Sequence, residues 1–192
     1  MNTFIEPVSL EKASRLLNHG PTVLISATHE GVSDVMAAAW ACVLDSKPPR
    51  FTVVLDKASA TRALIERSGY FALQVPVVSQ LQLVDAVGHV NLRGEPNKLE
   101  RCGVQLFEQA GSQAPLVQGC SAWLACKLIP EPHNQQTYDL FIGEAVGAWA
   151  DSRAFVNGYW NYEQADPNWR SLHHAGGGTY YAIGEALRLP KA

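Results

Sequence analysis

The sequence has little charge and no excess of one sign. Only 17% of its 192 residues are charged, and 15 basic residues against 18 acidic ones give a net charge of −3. A chain without a basic excess cannot attract a nucleic-acid backbone strongly, so no nucleic-acid partner is expected. The small charged fraction, beside 47% hydrophobic residues, predicts that another subunit covers part of the surface.

Targeting signals and long apolar runs are also missing. The N-terminal segment carries Glu6 and Glu11 and has neither the basic nor the apolar region of a signal peptide. No apolar stretch is long enough to span a bilayer. We therefore expect a cytoplasmic protein without a membrane partner, built as one domain over residues 1–192.

The usual signatures of metal sites and of catalytic side chains are not found. The four cysteines are too widely spaced for a usual zinc pattern. We expect them to be buried free thiols, with Cys120 and Cys126 as a redox pair the alternative. The sequence has no GxGxxG, nucleophile elbow, HExxH or paired carboxylates, so no catalytic residue is assigned.

Short apolar segments separated by polar turns predict an antiparallel sheet rather than alternating βαβ units, which disfavours a Rossmann domain. Strands are expected at residues 21–28, 35–41, 51–55, 121–129, 137–150 and 184–189, and helices at 9–18, 60–68, 79–87 and 97–101. Residues 130–136 would close a hairpin between the two long strands. Gly143 and Gly147 are expected to mark bends or bulges.

The central feature of the sequence is a run of small apolar residues, Val35, Met36, Ala37, Ala38, Ala39 and Trp40. Three alanines in a strand occupy little volume and leave room for a flat group against the backbone. They could equally be ordinary core beneath a bulky neighbour. The run therefore predicts a thin apolar slot only in combination with a second feature.

That second feature is the start of a helix. Ser59 is a good N-cap, Thr61 lies in the first turn, and Gly69 follows the last turn. Free backbone N–H groups, two hydroxyls and the cations Lys57 and Arg62 suit a phosphate. A helix cap that binds no phosphate would have the same sequence pattern. A thin apolar slot and a phosphate cradle one strand apart, however, match flavin mononucleotide (FMN).

Two further segments carry candidate residues. The polar loop at residues 89–98 is long enough to be functional, with Asn91 and Lys98 as candidates, although a solvated connection is the simpler interpretation. His173 and His174 lie in a glycine-rich tail. Because neighbours on an extended chain point in opposite directions, we do not expect them to chelate a metal together.

Taken in order, these segments resemble the flavin reductase family of FMN-binding split-barrel proteins, which includes flavoredoxin-like members. The matching pieces are VMAAAW (35–40), SKPPR (46–50), KASATR (57–62), SGYFAL (68–73), APL (114–116), LACKL (124–128), FIGEAV (141–146), LHH (172–174) and GTY (178–180). No single piece is specific, but together they run through most of the chain.

The resemblance implies a mainly β fold with flanking helices, a split β-barrel that is antiparallel and Greek-key-like. It implies FMN as cofactor, with FAD the alternative, and NADH or NADPH as reductant. It also implies a homodimer that passes reduced flavin to a flavin-dependent monooxygenase. The residues it assigns to the flavin are Val35, Met36, Ala37, Ala38, Ala39, Trp40, Lys57, Ser59, Thr61, Arg62, Asn91, Lys98, His173 and His174.

One position departs from the family pattern. Relatives often have Asn before the Val-Met pair, whereas this chain has Asp34, whose carboxylate would weaken attraction for an anionic cofactor if it faced the site. Two other functions stay open. An FMN electron-transfer protein without nicotinamide turnover is favoured if Tyr180 or Trp160 covers the ring, and a flavin-free interaction domain could keep the same shell.

Overall fold

A large antiparallel sheet forms the centre of the protein, which a computed structural model describes from residue 4 to residue 189. The strands are β1 (Ile5–Pro7), β2 (Val23–His29), β3 (Val32–Ala38), β4 (Ala41–Ser46), β5 (Pro49–Val54), β6 (Tyr70–Val75), β7 (Leu106–Phe107), β8 (Leu116–Val117), β9 (Ala122–Ile129), β10 (Leu140–Asp151), β11 (Phe155–Val156), β12 (Tyr159–Trp160), β13 (Leu172–Gly176) and β14 (Thr179–Ala182). The helices are α1 (Leu10–Ala13), α2 (Ala60–Ser68), α3 (Leu81–His89), α4 (Lys98–Arg101) and α5 (Pro132–Thr137).

Eight strands make up this sheet, in the order β3-β2-β6-β9-β10-β5-β4, with β1 added along β10. Every pairing is antiparallel, and β3 and β4 are the ends of the order. The sheet is therefore not closed. The predicted mainly β, antiparallel split-barrel architecture with flanking helices is confirmed.

Both faces of the sheet are buried. Successive side chains of a strand point to opposite faces, and an apolar cluster covers each face. On β9, Leu124 belongs to one apolar cluster and Trp123 to the other. Helix α2 contributes Leu64 and Ile65 to the first cluster. Helix α3 contributes Val84 and Val87 to the second, so the two helices cover opposite faces.

Helix α2 begins and ends where its sequence predicts. The Ser59 side chain accepts a hydrogen bond from the Arg62 backbone N–H at 3.4 Å. Gly69 adopts a left-handed conformation with φ 73°, and its N–H donates to the Ile65 carbonyl. Both signals are local, and no distant residue is needed to form either cap.

Several predicted boundaries are wrong. The segment at 9–18 is a four-residue helix α1 followed by a 3₁₀ turn, and Ser9 makes no side-chain cap. Helix α3 runs to His89, so Gly88 lies inside it rather than ending it. The predicted hairpin between the two long strands is confirmed, since β9 and β10 pair antiparallel, but residues 132–137 of its connection form helix α5.

The alanine run and the tail also differ from expectation. Strand β3 stops at Ala38, where its pairing with Val23 ends, and Ala39 and Trp40 turn the chain into β4. Residues 184–189 form no strand in the described chain, since they find no partner there. Leu187 is 99% exposed.

The glycines of β10 allow close packing. The register between β10 and β9 shifts between Ala145 and Gly147, which confirms the predicted bulge at Gly147. Gly143 instead lies beneath an aromatic ring, because a Cβ there would be 2.4 Å from Phe71 Cζ.

The cysteines do not form a redox pair. Cys120 and Cys126 are both buried and free, and the first half of β9 separates them. That span is roughly 20 Å of extended chain, well beyond disulfide reach. Burial raises the pKa of both thiols. Cys42 is exposed and Cys102 is half-buried, so the expected burial is wrong for those two.

Within residues 4–189, no helix is both long enough and apolar enough to cross a membrane.

Candidate functional site

A cleft of about 370 Å³ opens where β3 ends. Its lining combines the alanine run with the end of α3 and the β13–β14 hairpin: Thr22, Ala37, Ala38, Ala39, Gly88, His89, His174, Gly177, Gly178 and Tyr180. The alanines and glycines carry almost no side chain, so backbone forms much of the cleft wall. Such a surface suits a flat group that approaches the backbone closely.

Small side chains on both elements keep α3 close to β3. A Cβ placed on Gly88 would lie 3.6 Å from Ala37 Cβ, which is ordinary van der Waals contact. Larger residues at either position would push the helix outward.

The opposite wall is the β13–β14 hairpin. The His174 backbone N–H donates to Thr22 Oγ1 at 2.8 Å, and the His174 ring packs against the Tyr180 ring at 4.8 Å. The Tyr180 hydroxyl donates to Asp85 on α3 at 3.4 Å. Burial, followed by the Asp85 carboxylate, raises the pKa of Tyr180. Aromatic side chains are therefore held at the edge of the cleft.

His173 points away from the cleft into a hydrogen-bonded chain. Its Nδ1 lies 3.0 Å from the Gly20 carbonyl, which can only accept, so Nδ1 carries the hydrogen. Neutral His173 Nε2 then accepts from Ser171 Oγ at 3.2 Å, and Ser171 accepts from His19 Nε2 at 3.1 Å.

This arrangement leaves His19 Nδ1 as a buried lone pair without a partner among the described residues. Protonating it would bury an N–H group with no acceptor. Burial, and then the neighbouring His173, lower the pKa of His19 to about 4. Burial also lowers the pKa of His173.

The start of α2 lies beside the cleft. Ser59 Oγ donates to Met36 Sδ at 3.2 Å, and Met36 directly precedes the first cleft-lining alanine. Asn91 Nδ2 donates to the Ala58 carbonyl at 2.9 Å, which holds the 89–98 loop against the same turn. Met36 and Ala38 share one face of β3, so the structure brings Met36, Ser59 and Asn91 together beside Ala38, which lines the cleft.

Asp34 is enclosed by two other predicted site residues. Lys98 Nζ lies 2.8 Å from Asp34 Oδ1, and Thr61 Oγ1 donates to Asp34 Oδ2 at 2.7 Å. All three side chains are at most 2% exposed. The Lys98 ammonium balances the charge of the Asp34 carboxylate, which faces no open site. The Thr61 hydroxyl and the Lys98 ammonium both contact Asp34.

Arg62 is also held by the protein itself. Its guanidinium donates to Asp139 at 2.6 Å, to Glu66 at 3.0 Å and to the carbonyls of Leu55 and Gln135. Burial lowers the pKa of Arg62, but its two carboxylate partners raise it more. Arg62 therefore ties α2 to the residue after β5, to α5 and to the turn between α5 and β10.

The remaining candidates lie at different depths. Lys57 is exposed and 3.7 Å from Asp139, in a second depression of about 440 Å³ that also includes Arg93. Val35 is fully buried in the core, and Trp40 is 75% exposed at the bend after β3. No three His, Cys, Asp or Glu side chains gather into a metal site between residues 4 and 189.

Sequence reasoning missed three cleft residues: Thr22, Gly88 and His89. The glycines at 176–178, each with positive φ, signalled the hairpin turn. Nothing local marks Thr22, because its place in the cleft depends on β13 folding back along residues 20–22.

Comparison with solved structures identifies proteins of the same fold. A crystal structure from Shewanella baltica OS155, described as an FMN-binding domain of a flavin reductases-like enzyme, superposes with a TM-score of 0.96 at 58% identity over 97% of each chain. Flavoredoxin of Desulfovibrio vulgaris (Miyazaki F) gives a TM-score of 0.76 at 25% identity, covering 88% of this chain and 90% of that one.

Sequence comparison leads to the same family. An uncharacterized protein of Escherichia coli strain K12, YddH, is 42% identical over 97% of this chain and 98% of its own length. The model of the flavin reductase like domain matches residues 15–168. The chain therefore belongs to the flavin reductase-like family.

Proposed function

We propose that this chain binds FMN in the alanine cleft and acts as an NAD(P)H:flavin oxidoreductase. The observation that carries the proposal is the position of the α2 N-terminus, which the Ser59–Met36 contact holds on the face of β3 that Met36 shares with the cleft residue Ala38. A slot for a ring and donors for a phosphate thus adjoin each other. The FMN-binding description of the Shewanella baltica relative supports the same cofactor.

The residues present fit the cofactor at both ends. Ala37, Ala38 and Ala39 would let the ring edge reach backbone groups, as the small cleft lining allows. The phosphate would meet the α2 N-terminal N–H groups with Ser59, and Lys57 would add charge. Thr61 and Lys98 would support this end through Asp34, which they hold in place.

The chain itself supplies binding and orientation. When bound, a flavin accepts hydride at N5 from a reduced nicotinamide and passes the electrons on. The β13–β14 hairpin would exclude water from one side of the cleft with His174 and Tyr180. No acid, base or nucleophile is required of the protein.

A second function is favoured by one observation. Tyr180 lines the cleft, and a tyrosine over the exposed ring face would leave no room for a nicotinamide. Trp160 lines a different depression and does not cover this one. The chain would then be an FMN electron-transfer protein like its flavoredoxin relative. Rapid bleaching of bound flavin by NADH or NADPH without oxygen would support the reductase, and no bleaching would support the carrier.

The proposal includes a homodimer. Strand β4 ends the sheet order, Leu44 on it is 52% exposed, and Trp40 just before it is 75% exposed. Exposed apolar side chains along an unpaired edge suit a second copy of the chain. Sedimentation at micromolar concentration tests this, and a monomer mass contradicts it. Reduced flavin would leave the dimer for a flavin-dependent monooxygenase.

The first test is the visible spectrum of the purified protein, before and after adding FMN and removing the excess. Flavin bands that stay with the protein support the cleft assignment. Failure to retain FMN, together with no quenching of protein fluorescence during an FMN titration, would refute it.

A second test addresses the phosphate end. Ser59→Ala should weaken FMN binding about tenfold and leave riboflavin binding unchanged, since only FMN carries the phosphate and one charge-assisted bond is lost. Ser68→Ala, at the other end of the same helix, is the matched control. Equal losses for FMN and riboflavin would contradict the cradle.

A further inference from the structure

Another concave surface lies across the His173–His174 segment from the alanine cleft. This aromatic corner is lined by Arg15, Asn18, His19, Gly158, Tyr159 and Trp160 and encloses about 370 Å³. It is formed where the N-terminal helical segment meets the β11–β12 hairpin. The proposed flavin site uses none of these residues.

The aromatic corner is rigid. Trp160 Nε1 donates to the Arg15 carbonyl at 3.0 Å, and the Trp160 ring stacks on Tyr162 with centroids 4.8 Å apart and planes 9° apart. The His19 ring meets the edge of Trp160 at 5.1 Å. A surface that is already ordered pays little entropy when it binds a ligand.

Arg15 provides a fixed positive charge. Its guanidinium lies 4.7 Å above the centre of the Tyr159 ring, and Nη1 donates to the Gly158 carbonyl at 3.1 Å. Among residues 4–189, no carboxylate forms an ion pair with it, and its other nitrogens make no hydrogen bond. A planar cation held in this way suits a phosphate group.

The other groups of the aromatic corner suit a purine. Tyr159 is 64% exposed, and exposed tyrosine rings and guanidinium planes both stack on bases. Asn18 is exposed, and its amide makes no hydrogen bond within the described chain. An amide offers the donor and acceptor pair that matches the edge of adenine.

The aromatic corner and the cleft flank one short segment. The His19 ring in the corner lies 5.8 Å from the His173 ring, and the next residue, His174, lines the cleft. Only the strand segment at residues 173–174 therefore separates the two surfaces. A dinucleotide has this form, with two planar groups joined by a diphosphate.

We propose that the aromatic corner binds the adenosine-phosphate half of the nicotinamide dinucleotide. Arg15 pairs with a phosphate, Tyr159 stacks on the adenine and Asn18 bonds its edge. The proposal rests on the proposed function, because it supplies the second half of the hydride donor's site.

Direct binding tests the aromatic corner without turnover. ADP-ribose, which lacks the nicotinamide, is titrated calorimetrically into the FMN-supplemented protein. Tyr159→Ala and Arg15→Gln should each raise the dissociation constant about tenfold, as expected for one stacking or phosphate contact. Tyr138→Ala is the matched control, since Tyr138 is 61% exposed and lies elsewhere. No binding at millimolar ADP-ribose, or an equal loss in the control, overturns the proposal.

Kinetics separate this inference from the proposed function. Tyr159→Ala should raise KM for NADH or NADPH about tenfold and leave KM for reduced nicotinamide mononucleotide, which has no adenosine, unchanged. Equal increases for both donors overturn the aromatic corner assignment. If the wild-type protein oxidises neither donor, the reductase proposal fails, and the ADP-ribose titration still decides the corner.

Discussion

Among single residues, Asp34 is a carboxylate buried in an ion pair. Its carboxylate and the Lys98 ammonium are both almost completely buried and lie 2.8 Å apart. Removing one member of such a pair leaves the other charge buried and uncompensated, which costs about 3–5 kcal/mol. The pair, together with the Thr61 hydrogen bond to Asp34, therefore fixes β3, α2 and α4 relative to one another at the edge of the proposed site.

We predict that Asp34→Asn destabilises the protein by about 3 kcal/mol, measured by urea unfolding. Adding Lys98→Met should recover much of this loss, because no unpaired charge then remains. The double-mutant cycle isolates the coupling between the two residues. Additive losses would mean that the ion pair does not hold these elements together.

Ala38 tests the ring slot. Ala38→Leu should abolish retention of FMN while the protein still folds, because the larger side chain occupies the space between β3 and the hairpin. FMN retention is measured by absorbance after gel filtration, and folding by circular dichroism. Ala110→Leu makes the same change in a different depression and should retain FMN. Normal FMN binding by Ala38→Leu would place the ring elsewhere.

Residue roles could be predicted where their cause is local. Ser59 and Gly69 mark the ends of α2 through bonds within one helical turn. The partners of Thr61 and Arg62 could not be predicted in the same way. Thr61 bonds Asp34, 27 residues away, and Arg62 bonds Asp139, 77 residues away. Hydroxyls and cations that look free in sequence are therefore engaged once the sheet forms.

At the scale of elements, the packing of β10 over β6 depends on one missing side chain. The Phe71 ring on β6 reaches past β9 to Gly143 on β10, where a Cβ would lie 2.4 Å from the ring. Gly143→Ala should destabilise the protein by about 2 kcal/mol through overpacking. Phe71→Leu in the same chain should relieve part of that loss. Gly184→Ala, which meets nothing within 4 Å, should be neutral in thermal unfolding.

The elements that were mispredicted share one cause. Residues 184–189 have the apolar alternation of a strand, but a strand needs a partner, and within the described chain β14 ends at Ala182. Residues 132–137 form a helix whose Gln135 carbonyl accepts from Arg62. Strand pairing and helix docking decide the conformation of such segments, and neither can be predicted from the sequence of the segment alone.

The architecture of the chain could be predicted from its sequence. Short apolar strands separated by turns indicated an antiparallel sheet, and the ordered motifs of the flavin reductase family run through most of the chain. The position of the cleft depends on long-range closure instead. Thr22 and His174 meet across 152 residues, and that contact joins the two walls. The docking of the β13–β14 hairpin along residues 20–22, rather than any motif, places His174 opposite the alanine run.

The contacts of His19 and His173, which join the N-terminal segment to β13, make the free energy of unfolding depend on pH. The folded-state pKa of His19 is about 4, below its ordinary value of 6.5, so the unfolded chain binds more protons between these values. The stabilisation is complete above pH 6.5 and is lost as the pH falls towards 4, by about 3 kcal/mol in all. His173, whose pKa is also lowered, acts in the same direction.

We therefore predict that the free energy of unfolding, measured by urea at intervals from pH 7 to pH 4, falls less steeply in His19→Gln than in the wild-type protein. Glutamine can still donate to Ser171 but does not titrate. Carboxylates contribute equally to both proteins, so the difference between the two curves reports His19. His133→Gln, at an exposed site on α5, should follow the wild-type curve. Parallel curves for His19→Gln and wild type would show that the N-terminal segment and β13 are not joined through a neutral His19.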